Sequence, residues 1–147
     1  MYGDAAVIRR RASELDEQAV DIRALADRLV AGADSVGWSG RAADDLRLRM
    51  RDRAAQLRDV AGQHENAGQA LAKHAGAVGD VKDAISGIER RAHSLVADAR
   101  NRQAELATFD DAAGVQRTLT PADQQLVDFD PPPPGHKDWL SVSLPGL

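Results

Sequence analysis

No proline occurs before Pro121; all six prolines of the chain lie at or beyond that position. Proline removes a backbone donor and its ring clashes with the preceding turn, so residues 1–120 are open to uninterrupted helix. The 147 residues therefore divide into a helical body and a Pro-rich tail, within the length of one domain. Two Trp, two Phe and one Tyr are the whole aromatic content. That is too little bulk for a thick core, but enough for helices that bury narrow stripes against one another.

The stripes are regular. A first helix, predicted over residues 4–35 with Asp4 as its N-cap, carries Ile8, Ala12, Leu15, Ala19, Ile22, Ala26, Leu29 and Ala33. Its steps alternate four and three, the period of a coiled-coil seam. Large and small residues alternate too, and the alanines admit a partner backbone near the close end of interaxial distances, about 8 Å. Val7, Leu25 and Val36 widen the stripe. Gly32, Gly37 and Gly40, with Asp34 and Ser35, mark a turn, and Ser39 is placed to cap the next helix.

A second helix, predicted over 40–76, repeats the alternation at Met50, Ala54, Leu57, Ala61, His64, Gly68, Leu71, Ala75 and Val78. Two matched seams joined by a short turn predict an antiparallel hairpin. Beyond Val78 the phase slips, and the stripe resumes at Val81, Ile85, Ile88, Ala92, Leu95 and Ala99, with Gly76 and Gly79 at the slip. A kink or break is expected there, with a third helical segment over 80–108. Unbroken, residues 40–107 would extend about 100 Å against about 48 Å for the first helix, at 1.5 Å per residue. The third segment should therefore fold back as a third bundle helix or await a partner.

The predicted fold class is thus all-α: an elongated, coiled-coil-like antiparallel hairpin with a third helical segment, together spanning 1–112. A mostly irregular, Pro-rich tail follows over 113–147. Within the tail, Thr120-Pro121-Ala122-Asp123 reads as a cap and first turn, and Pro131 to Pro134 as an extended polyproline stretch. Trp139, Leu140, Val142 and Leu144 are candidate docking residues, the last three alternating with serines as a strand added to a partner's sheet would. A disordered tail carrying a few apolar residues is the blander expectation.

Trp38-Ser39-Gly40, in the turn between the two seam-patterned helices, resembles the Trp-X-Gly signature of the ESAT-like helical-hairpin proteins of type VII (ESX) secretion in actinobacteria and relatives. The resemblance covers about residues 1–100. It implies a hairpin that dimerises, with itself or a sister chain, into a four-helix bundle. It also implies a chain exported by, or assembled with, the secretion machinery. Two features depart from the family pattern. Its Tyr-X-X-X-Asp/Glu signal is missing: the only tyrosine is Tyr2, and Phe109 is followed four residues later by Ala113. The chain also outlasts the minimal hairpin, resembling the N-terminal helical part of longer members. An indole at the turn is suited to close the open end of the seam, and Gly40 to turn the backbone.

Other functional classes find little footing. The chain has no cysteine, which removes disulfides and thiolate metal sites. Net charge is -4 with both signs interspersed, so neither nucleic acid nor an anionic membrane is an expected partner. No apolar run approaches the roughly 18 residues of a membrane span. The first residues lack a signal-peptide layout, so any export is expected by another route. Arg9-Arg10-Arg11 and Arg47, Arg49, Arg51 and Arg53 are interleaved with or followed by acids and read as solvated, ion-paired surface. His64 falls on the seam, where a half-buried imidazole with a polar partner is expected rather than a proton switch. His74 and His93 lack ligands at metal spacing. No serine elbow, phosphate loop or isolated carboxylate pair points to catalysis. The expectation is a non-enzymatic chain with no metal or cofactor. An intracellular coiled-coil adaptor whose Pro-rich tail docks a partner is the alternative.

Overall fold

A computed structural model of the chain describes residues 4–114 and 117–147, the side chains of 109–113 excepted. Tyr2, and the side chains of the Phe109-to-Ala113 spacing, lie outside the described residues. The elements are α1 (Ala5–Asp34), α2 (Arg41–Ala113), α3 (Pro121–Val127) and a 3-10 helix (Lys137–Ser141). The described residues include no strand.

Local chemistry sets the ends of α1. Asp4 is the N-cap and its Oδ1 accepts from Ala6 N–H at 2.9 Å, satisfying one of the first-turn donors. At the other end Ser35 N–H donates to Ala31 C=O at 3.0 Å, while its Oγ donates to Gly32 C=O at 2.9 Å. Ser39 was expected to cap the second helix, but Gly40 directly precedes Arg41 and its carbonyl accepts from Asp44 N–H at 3.1 Å. Gly40 has φ of 106°, a conformation that a side chain would strain.

The expected break between helices over 40–76 and 80–108 does not occur: α2 is one helix of 73 residues with Gly76 and Gly79 inside it. Glycine in a helix interior costs about 1 kcal/mol relative to Ala but creates no clash, so packing on either side can carry the helix through. The slip in the stripe changes what α2 packs against. The chain forms two compact units, Met1–Gly79 and Asp80–Leu147, rather than a body over 1–112 with a separate tail.

In the first unit α1 packs antiparallel to the first half of α2. Arg23 pairs with Glu65, Asp27 with Arg58 and Asp34 with Arg51, so one number rises as the other falls. The small residues of the two seams form the contact: Ala12, Ala19, Ala26 and Ala33 are buried on α1, and Ala54, Ala61, Gly68 and Ala75 on α2. At Gly68 an added Cβ would lie 3.1 Å from Ala12 C=O and 2.7 Å from Asp16 Oδ1. Backbone and backbone are nearly in contact there.

In the second unit the tail wraps the remaining half of α2, so the third segment of the stripe neither folds back nor stands open. Ile85, Ala92 and Trp139 are buried together, with Ile88, Phe129, Val142, Leu144 and Leu147 packed against them. Val96, Ala99 and Leu126 form an adjoining cluster. Thr120 caps α3 by accepting from Asp123 N–H at 3.1 Å, as its sequence suggests. The rest of the described tail is mostly irregular, as expected, and forms no strand: residues 137–141 wind into a 3-10 helix, which turns Trp139 onto α2.

Candidate protein–protein interface

The hairpin of the first unit has two unlike faces, and heptad geometry explains why. At 100° per residue, a position three after a seam alanine lies about 60° to one side of the contact line, and one four after lies about 40° to the other. The residues three after are Ile8, Leu15, Ile22 and Leu29 on α1, and Leu57, His64, Leu71 and Val78 on α2; Met50 continues the α2 row toward the turn. The residues four after include Arg9, Asp16 and Arg23 on α1, and Arg58, Glu65 and Gly79 on α2. In an antiparallel pair each row faces its counterpart across the seam, so large apolar residues collect on one side and charges on the other.

The contacts agree. Arg23 forms a two-pronged pair with Glu65, whose second bond, Nη2 to Oε2, is 2.9 Å. Arg58 Nη2 reaches Asp27 at 2.8 Å, Arg51 reaches Asp34 at 3.3 Å, and Arg9 passes 3.5 Å from where a Cβ on Gly79 would stand. The hydrogen bond from Arg23 holds the Glu65 carboxyl below its ordinary range, and the same bond raises the guanidinium. Across the seam, Leu29 of α1 joins Met50, Leu57 and Val60 of α2, with Arg53 and Gln56, around an open groove of about 460 Å³.

The apolar face is uncovered. Ile8, Leu15, Ile22, Leu29, Met50, Leu57, Leu71 and Val78 are all half-buried, none fully. Among the described residues of this unit every buried side chain is an alanine. Leu25 and Val60 extend the face with exposures of 44% and 38%. Each immediately precedes a seam alanine, a position on the same side as the apolar row; that spacing was the available signal for Val60, which the seam pattern alone passes over. His64 lies in the α2 row, half-buried, with Nδ1 3.0 Å from Val60 C=O of its own helix. The polar partner expected for it is thus a backbone carbonyl one turn back.

The Trp38-Ser39-Gly40 turn projects outward. Trp38 is 63% exposed and so does not close the end of the seam within this chain. Arg47 anchors the turn, its Nη2 donating to Trp38 C=O at 2.9 Å and Val36 C=O at 3.1 Å. Arg47 stands seven residues before Ala54, where the seam calls for a small residue. That irregularity was legible in the sequence, although its use as a turn anchor was not.

The tail residues considered for docking are mostly engaged within the chain. Trp139 is fully buried, donates Nε1–H to Pro133 C=O at 3.0 Å, and meets His93 edge-on at 5.6 Å. Val142 and Leu144 pack against the Ile85 cluster, and Leu140 alone of the four is exposed. Arg102 clasps Asp123 with two bonds, 2.6 and 3.0 Å, on a carboxylate only 15% exposed. Those bonds, aided by the Thr120 hydroxyl, hold the Asp123 carboxyl below its ordinary range.

Among the described residues no three His, Asp or Glu side chains gather as a metal site would require, and no polar or charged residue is buried. No described helix is long and apolar enough to cross a membrane. Comparison with protein-family models, with curated proteins and with solved structures finds no match.

Proposed function

We propose that this chain is a non-enzymatic helical protein of a type VII (ESX) secretion system, an exported factor or the helical partner of one. It acts by forming a helical bundle through the apolar face of its hairpin, needs no cofactor, and functions outside the cell or at its surface. The observation that carries the reading is a Trp-X-Gly turn, outward-facing at Trp38, that joins two alanine-seamed helices whose large apolar residues share one uncovered face. Full burial of a Leu or Ile side chain is worth about 1.5–3 kcal/mol, so eight half-buried ones offer on the order of 8 kcal/mol to a partner. Association costs at least about 4 kcal/mol in lost freedom, which leaves a modest surplus. A second helical hairpin is the partner whose shape matches such a face.

The test has two readouts. Light scattering on the purified chain, alone and with the product of an adjacent Trp-X-Gly gene, should show a defined complex in at least one condition. Culture supernatant should contain the protein only when the secretion ATPase is intact. A monomer in both conditions together with no machinery-dependent export would remove the proposal.

A further inference from the structure

The geometry points to a binding site for a small aromatic carboxylate in the second unit, where the tail crosses α2; nothing in it depends on what covers the hairpin. His93, Val96, Ala97 and Arg100 follow one another at helical spacing and so form one strip of the α2 surface. Phe129 and Pro131 of the tail complete the lining of a cleft of about 250 Å³ over that strip. The lining is held in place by the fold. Phe129 tilts against the fully buried Trp139 with ring centroids 6.1 Å apart, and His93 meets the same indole edge-on at 5.6 Å. Pro131 opens a run of four prolines whose ring-locked φ leaves the wall little freedom. Ala97, the smallest lining residue, leaves a recess that a longer side chain would fill.

Chemistry selects the ligand. Val96, Ala97, Phe129 and Pro131 present apolar surface, and Arg100 brings a permanent positive charge to it. Arg91 donates to Gly146 C=O at 3.1 Å and Arg102 clasps Asp123, whereas Arg100 makes no hydrogen bond or ion pair among the described residues. Of the tail acids flanking Phe129, Asp128 accepts from Gln124 Nε2 at 2.9 Å, and Asp130 is exposed and does not pair with Arg100. A cavity of about 150 Å³ takes up a benzene ring. The cleft therefore has room for one ring and a short carboxylate arm, and is smaller than the sites of larger ligands, which begin near about 300 Å³. A ring packs on Phe129 and the α2 strip while its carboxylate meets the guanidinium. A cation would be repelled there, and a bare anion would leave the apolar walls unused.

Phenylacetate is the probe, with phenylacetamide as its neutral counterpart and acetate as the ringless one. Each is titrated into the full chain and followed by the resonances of the His93 ring and the Val96 methyls. Phenylacetate should saturate these shifts and bind about three- to fivefold tighter than phenylacetamide, the share that an exposed charge pair supplies. Acetate should not saturate. Arg100→Gln should bring the two aromatic ligands to equal affinity, and Ala97→Leu should abolish the binding of both. Both substitutions fall at exposed positions of α2, and the wild-type comparison decides the matter even without them. Absence of saturation by phenylacetate, equal affinity of phenylacetamide, or acetate binding as well as phenylacetate would each overturn the inference. Undiminished binding in Ala97→Leu would do so too.

Discussion

Close approach of the two helices is decided at single residues, and Gly68 is one where it leaves no room for a side chain. A Cβ there meets a backbone carbonyl, Ala12 C=O, which moves only if the helices part. Gly62, in the same helix, has open space where its Cβ would stand. Replacing a helix-interior glycine by alanine ordinarily stabilises by up to about 1 kcal/mol. Gly62→Ala should deliver most of that gain in urea unfolding, whereas Gly68→Ala should fall below wild type, a separation of about 1–2 kcal/mol. Equal effects at the two positions would mean that the seam is looser than these distances imply. Gly68 was legible in the sequence as the small member of an alternation. That it needs to be smaller than alanine depends on Asp16 and Ala12 opposite it, which the pattern within α2 does not contain.

At the level of the element, α2 is long because two different partners cover its stripe in succession. Isolated helix is marginal in water, and most of its stability comes from packing. Over the first half α1 supplies the cover; over the second, Trp139, Phe129, Leu126, Val142 and Leu144 do so from the tail. Trp139→Ala removes the largest fully buried side chain and should destabilise the second unit by about 3–5 kcal/mol. Hydrogen exchange should then accelerate at amides 85–99 while those over 50–75 hold their protection. Uniform acceleration along the helix would show that the two halves unfold as one. The glycines at the phase slip invited a break because each is a weak helix former. What carries α2 through them is packing on both sides, which no local propensity records.

For the whole molecule, each unit carries one strongly bonded carboxylate: Glu65 with Arg23 in the first, Asp123 with Arg102 in the second. Both have folded values depressed below their unfolded ones. Their contribution is therefore present above the ordinary carboxylate value and is lost as pH falls through the lower folded value. Stability should be flat from neutral pH down to about 5 and then decline in both units below about 4. Asp123→Asn should remove that acid-dependent loss from the second unit, read by Trp139 fluorescence, and leave the first unit's loss, read by exchange at 50–75. An undiminished acid transition at Trp139 in the variant would place its cause elsewhere.

The sequence alone determined that the body is helical, where α1 begins and ends, and which residues alternate along each seam. These follow from proline placement, capping chemistry and a periodicity that one strand of text contains. The Trp38-Ser39-Gly40 turn was legible for the same reason. Only the tertiary structure decided that the large residues of both helices lie on one side and the ion pairs on the other, because that depends on the register between two helices. It alone decided that the tail is the cover of α2. A serine-alternating stretch could serve as an added strand or lie disordered, but a buried tryptophan, bonded to Pro133 and packed with Ile85, winds its start into a 3-10 helix and brings Val142 and Leu144 onto the same cluster. Contacts between residues distant in the chain made those choices.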